Sequence, residues 1–293
     1  MAKLDWRPWP LRASWAVLPL VLGPLLADAL DPRDAAFRRG VSVALWVLWA
    51  LTLVATAVPR PVTLTLVRIV VPASGAGAVW AAVADGAHTR TAVGLVGAAV
   101  ATVCALLPTT GDAFADGASY GDERRFLLRP PGAFLIGPIE LAWAIFVAGV
   151  AGGPLLLLAR QWAAGSIVTI AGFGAAWRAW RSLHSLSNRW LVFVPAGVVV
   201  HDALALAEPT LFARGQVVAL RPAPANTDAL DLTANALGLA LQLDLAPPQT
   251  VAVVAARPAR QRVAEQQSVS RLMITPTRPG AVATEARSRK IGA

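Results

Sequence analysis

The stretch VSVALWVLWALTLVATAV, residues 41–58, carries no charged side chain and decides how the rest of the chain is read. A helix rises about 1.5 Å per residue, so about 20 apolar residues cross a hydrocarbon core about 30 Å thick. Five further apolar stretches surround it, at residues 11–30, 62–84, 91–108, 133–158 and 161–180. With 56% hydrophobic and 15% charged residues, the expectation is a membrane α-helical bundle of about six spans over residues 1–184. A soluble enzyme with an apolar core does not fit that composition.

Within the spans, Pro19 and Pro24 predict a kinked or partly interfacial first helix. Span four is rich in small residues, with Gly94, Gly97, Ala98 and Ala101 permitting close helix approach, and span five holds a Gly149-x-x-x-Gly153 pair. Basic residues beside Trp6, Trp9 and Trp15 mark the approach to an interface. With the N-terminus taken as cytosolic, the inner segments hold Lys3, Arg7, Arg12, Arg60, Arg124, Arg125, Arg129, Arg178, Arg181 and Arg189. The outer loops hold Arg33, Arg38, Arg39, Arg90 and Arg160. That excess of basic residues inside predicts a plasma-membrane protein with both termini in the cytosol. Arginine so outnumbers lysine that a GC-rich bacterial source is expected.

After residue 184 the apolar period drops from helical toward two. Residues 190–194 and 198–201 read as a hairpin through Pro195-Ala196-Gly197, and residues 216–220, 230–232 and 250–254 read as further strands. Leu237, Leu239, Leu241, Leu243 and Leu245 alternate with small or polar residues, which predicts a half-buried strand. A small all-β cytosolic domain is therefore expected at 185–256. Residues 257–293 carry eight basic residues against Glu265 and Glu285 and read as a basic, mostly disordered tail. Such a tail suits anionic headgroups better than nucleic acid, because it has no aromatic residue for base stacking.

A row of spans running into a β domain that opens with Asn-Arg-Trp-Leu-Val-Phe at 188–193 resembles membrane-anchored bacterial PH-like proteins. The stretch SYGDERRFLLRPPGAFLIGPIELAW, residues 119–143, is similar to uncharacterised actinobacterial multi-pass membrane proteins. The resemblance implies a PH-like fold for the β domain and carries no reaction onto any residue.

Arg68 and Glu140 are the candidate intramembrane charge pair. Each lies about 10 Å into its span by the helical rise, and a charge at that depth ordinarily has a partner. As a relay the pair would serve a transporter or channel; as a clamp it would join two helices. Arg178, Arg181 and Arg189 with Trp177, Trp180 and Trp190 form a candidate lipid-interface collar. Asp112, Asp116, Asp122 and Glu123 fall in a polar stretch, 109–132, read as a solvated loop; Phe114 stands where an EF-hand needs a ligand. His88, His184 and His201 have no metal-ligand spacing, and the single Cys104 reads as a packing residue. No HExxH, GxSxG or P-loop pattern occurs. The expected function is a non-enzymatic anchor or scaffold, with neither cofactor nor metal. Its expected partners are the bilayer, anionic phospholipid and an unidentified protein.

Overall fold

A computed structural model describes residues 5–86, 88–255 and 263–292. The chain divides into two compact units. The first comprises 1–117 and 140–184, and the second 118–139 and 185–293.

The first unit is helical. Its long helices are α1 (Trp9–Leu30), α2 (Ala35–Ala57), α3 (Pro61–Asp85), α4 (Thr89–Leu106), α6 (Pro138–Leu158) and α7 (Trp162–Ser187), with the short α5 (Pro108–Asp116) after α4. Proline opens α3, α5 and α6, where its missing N–H costs no intrahelical bond. Asp34 caps α2, accepting from the backbone N–H groups of Ala36 and Phe37 at 3.0 Å each. Five helices, α1 to α4 and α6, are long and apolar enough to cross a membrane. They mark a membrane protein. The helix α7 is not among those five, so the sixth expected span is met only as a helix.

The first span runs through both of its prolines as one helix. Pro19 has no N–H to give the Trp15 carbonyl, which in lipid would stand unsatisfied at a cost of several kcal/mol. The Trp49 indole Nε1 donates to that carbonyl at 2.9 Å, and the Trp15 indole donates back to the Trp49 carbonyl at 3.1 Å. Arg12 closes the same α1–α2 seam lower down. Its Nε and Nη2 donate to the Thr56 carbonyl at 3.0 and 2.9 Å, where the α2 C-terminus favours a cation.

Along α4 the residues Thr91, Gly94, Ala98, Ala101 and Ala105 are buried at spacings of three and four. A side chain at Gly97 would meet Val21 Cγ2 at 2.8 Å, and one at Gly94 would meet Leu25 Cδ2 at 3.0 Å. This is the small-residue approach read from the sequence. The Gly149-x-x-x-Gly153 pair works the same way on α6: Gly149 lies against the backbone of Gly172, and Gly153 against Thr169, both on α7.

The second unit is built on two four-stranded sheets. Strands β1 (Arg124–Leu127), β2 (Arg189–Val194), β3 (Gly197–Asp202) and β4 (Thr210–Ala213) form an antiparallel sheet in that order. The other sheet takes β5 (Val217–Pro222), β6 (Leu230–Asp231), β7 (Leu241–Ala255) and β8 (Val263–Ile274) in the order β5-β7-β8-β6, with β6 parallel to β8. The last helix, α8 (Pro279–Ser288), follows β8. One core joins all of it. Leu191, Phe193, Val198, Val200 and Phe212 face inward from the first sheet, and Leu241, Leu243, Leu245, Leu272 and Ile274 from the second. Val282, Ala286 and Ile291 close the core from the C-terminal end.

Three sequence expectations change here. Residues 263–288 are not disordered: β8 pairs with β7 along its length and α8 seats two residues in the core. The glutamines and serine of β8 hid a strand whose Val269, Leu272 and Ile274 are buried. Arg257, Arg260 and Arg262 lie outside the described residues. Next, the stretch 109–132 is no solvated loop, because Thr110 to Ala115 are buried in α5 and residues 124–127 form β1. Last, the leucine alternation becomes a strand only from Leu241; Leu237 and Leu239 precede it and are exposed.

Candidate functional site

One group of polar side chains in the helical unit gathers where α1 and α3 begin and α2 and α4 end. Arg68 lies in the third turn of α3, and Asp112, on α5, is fully buried. The Asp112 carboxylate lies within electrostatic reach of Arg68. An aspartate buried within electrostatic reach of the half-buried Arg68 offsets part of its charge, which a low-dielectric surrounding favours. The Arg68 Nε is buried with no hydrogen-bond partner among the described residues.

Around this pair the α5 turn is tied down from several sides. Thr110 Oγ1 donates to the Cys104 carbonyl at 2.8 Å, satisfying one of the last carbonyls of α4. Arg7 Nη2 pairs with Asp116 at 3.1 Å and with Asp5 at 2.7 Å. On α3, the Thr65 hydroxyl donates to the Pro61 carbonyl at 3.1 Å and lies 2.9 Å from His184 Nδ1 of α7. A hydroxyl has one proton. It goes either to the Pro61 carbonyl or to His184 Nδ1, and the tautomer of His184 sets which. The Trp143 indole of α6 donates to the Ile69 carbonyl at 3.0 Å, one residue past the Arg68 carbonyl that Pro72 deprives of its backbone donor. These contacts hold helices together.

Glu140, the expected partner of Arg68, sits exposed in the first turn of α6. Sequence depth alone placed both residues alike, but it missed α5, whose buried Asp112 lies within electrostatic reach of Arg68. The cue was the Pro108-Thr109-Thr110 helix start inside a stretch otherwise read as loop.

The arginine–tryptophan collar separates into parts. Trp177, Arg178 and Arg181 are exposed near the end of α7. Trp180 is half-buried there, stacked on His184 with centroids 5.9 Å apart and lying 5.9 Å from Phe146. Arg189 does not belong to a lipid-facing collar. Its side chain is buried against Asp202, with Nε to Oδ1 and Nη2 to Oδ2 both 2.7 Å, and Nη1 donates to the Arg129 carbonyl at 2.7 Å. All of its donor faces are used to lock β2, β3 and the segment after β1. Trp190 is sandwiched in the β unit, with His201 stacked at 4.7 Å and the Arg125 guanidinium 5.5 Å from its ring.

Between α1, α2 and α3 lies an apolar cavity of about 450 Å³. Trp15, Trp49, Pro19 and Pro24 line it, and Ser42 and Ser74 are its polar wall. Among the described residues no group of three His, Cys, Asp or Glu side chains is placed to hold a metal ion. No protein-family model, curated protein or solved structure matches the chain.

Proposed function

We propose that the protein is a plasma-membrane anchor that holds its β unit at the cytosolic face, where that unit binds a protein or anionic phospholipid. The observation that carries this reading is the discontinuous make-up of the β unit. The chain passes between the units three times, after Gly117, after Ile139 and after His184. A domain tethered at three points is held at the membrane in a way that a single-linker domain is not.

The same connectivity argues for the sixth span. Residues 140–184 leave one compact unit and return to it, so they cross the bilayer twice or not at all. Since α6 is long and apolar enough to cross, α7 is its return, with Arg178 and Arg181 at the inner end. Four spans between Trp9 and Leu106 bring the chain back to its starting face, so the N-terminal end shares a side with the β unit. The excess of basic residues on that side makes it the cytosol. Two sheets with a helix at the C-terminal end suit the PH-like resemblance; strand β1, from between α5 and α6, is an addition to it.

The test is site-specific photo-cross-linking in intact cells, with the reactive side chain at Leu211 on β4 or Val218 on β5, both exposed. The anchor reading expects a discrete protein or anionic-lipid adduct at one of them. Adducts absent from both positions contradict it.

A transporter is the second reading, and the Arg68–Asp112 placement is what favours it. Asp112→Asn separates the two. A transporter keeps its folded yield and loses coupled flux in proteoliposomes, whereas an anchor loses folded yield because Arg68 is left without countercharge.

A further inference from the structure

We infer that two adjoining loops of the β unit form an apolar foot that dips into the bilayer. The first loop follows β1. Its Phe134 is 39% exposed and its Ile136 89% exposed. The second precedes β7, with Leu237 66% and Leu239 52% exposed. The loops touch within the β unit. The Gly132 N–H donates to the Ala234 carbonyl at 3.4 Å, and Gly132 has no room for a side chain against the Asn235 carbonyl. Gly238 lies on the Arg129 side chain, where an added Cβ would come within 2.9 Å of Cζ.

Single exposed leucines need no explanation on a protein surface. Four large apolar side chains on two touching loops do. Leu211 and Val218 of the same unit are also exposed, but they stand on separate strands, β4 and β5.

Chain connectivity names the occupant. Ile136 is two residues before Pro138, the first residue of α6, which is long and apolar enough to cross a membrane. The chain around Ile136 is therefore at the bilayer boundary, and the hydrogen bond from Gly132 brings the Leu237 loop to the same level. Apolar side chains at this boundary bury about 5–10 Å into the headgroup and acyl region. The left-handed backbone at Ala234, Asn235 and Gly238 turns this loop tightly, and its outward leucines match an apolar medium rather than water. The inference rests on α6 being a span, and the experiment keeps the two claims apart.

Single cysteines at Leu237, Leu211 and Ile145 are introduced into the Cys104→Ser full-length chain, labelled with an environment-sensitive fluorophore and reconstituted in phosphatidylcholine vesicles. Quenching by a nitroxide on the upper acyl chain is compared with quenching by aqueous iodide. The Leu237 label is expected to show at least about twofold stronger lipid quenching than the Leu211 label, with weaker iodide quenching, as interfacial burial requires. Lipid quenching at Ile145 with none at Leu237 overturns the foot and leaves the span standing. Absence of lipid quenching at Ile145 overturns both. Shielding of Leu237 from iodide without lipid quenching assigns the loop to a protein surface or a second copy, and also overturns the foot.

Discussion

In the helical unit the small buried positions of α4, Gly94, Ala98 and Ala101 among them, let the buried Leu18, Leu22 and Leu25 of α1 approach closely, and α6 buries Gly149 and Gly153. In the β unit the buried positions are Phe126, Phe193, Phe212, Leu191, Leu243 and Leu272. Lipid tails are as apolar as leucine, so helices in a bilayer gain little from hiding large side chains and associate by backbone approach and hydrogen bonds. Water makes the opposite demand, and the β unit meets it with a continuous aliphatic and aromatic core. The arginines that face a buried aspartate differ in the same sense. Arg189 and Asp202 form a complete fork within one sheet, in register on β2 and β3, whereas Asp112 on α5 acts on Arg68 of α3 only through its charge, without a fork.

The largest effect is expected at the fork. Asp202→Asn or Arg189→Met leaves one buried charge uncompensated, which costs about 3–5 kcal/mol. Lys at position 189 restores little, because one ammonium cannot replace the bidentate contact or reach the Arg129 carbonyl as well. Thermal unfolding of the purified full chain, followed by protease sensitivity of the β unit, measures both. An Arg189→Met chain as stable as the wild type would remove the fork from this account.

Next comes the α6–α7 pair. Gly149→Leu puts a side chain into the Gly172 backbone, where overpacking costs about 1–3 kcal/mol and separates the helices. Gly174→Leu, at a position with open space, is expected to be tolerated. The ratio of folded to aggregated material after detergent extraction reads the contrast. Equal yields would show that glycine contact does not hold the pair.

A smaller effect belongs to the tryptophan seam. Trp49→Phe removes the donor from the Trp15 carbonyl and costs about 1–2 kcal/mol. Pro19→Ala returns a backbone N–H to that carbonyl, so the double variant is expected to recover part of the loss. A double variant no better than Trp49→Phe alone would show that the orphaned carbonyl is not the reason for the bond.

The smallest effect is a pH dependence confined to the β unit. Burial alone would raise the Asp244 carboxyl. Hydrogen bonds from Gln242 and Arg221, with the charges of Arg221 and Arg271, outweigh it and hold the carboxyl below its usual range. The folded value being the lower, the stabilisation is present above the unfolded carboxylate pKa of about 3.9 and is lost as pH falls through the folded value. With Asp244 partly exposed, about 1 kcal/mol is at stake. Asp244→Asn is expected to flatten the acid limb of a stability-against-pH curve; an unchanged limb contradicts the assignment.

The sequence was most legible where one rule dominated. Apolar length marked the five helices long and apolar enough to cross a membrane among the described residues, and the hairpin at 189–202 followed from alternation around Pro195-Ala196-Gly197. It was least legible where an element depends on distant partners. Strand β1 is only Arg124–Leu127 and is a strand because β2 lies beside it. The polar residues of β8 concealed a strand that β7 completes. In the candidate site, Arg68 was legible because charge in a span is conspicuous, but the buried carboxylate within its electrostatic reach was not. Asp112 sits in a stretch with the composition of a loop, and only the packing of α5 buries it. Arg189 misled for the opposite reason: an arginine beside Trp190 at the end of a span has the composition of an interface, yet Asp202 across the hairpin claims it.

The central proposal is that α6 and α7 form an out-and-back pair of spans and that the β unit lies on the cytosolic side. Single cysteines at Gln161, in the α6–α7 turn, and at Val218, on β5, test it most directly in the Cys104→Ser chain. A membrane-impermeant maleimide applied to spheroplasts should label Gln161→Cys at once and Val218→Cys only after lysis. Labelling of both from the same side would contradict the account.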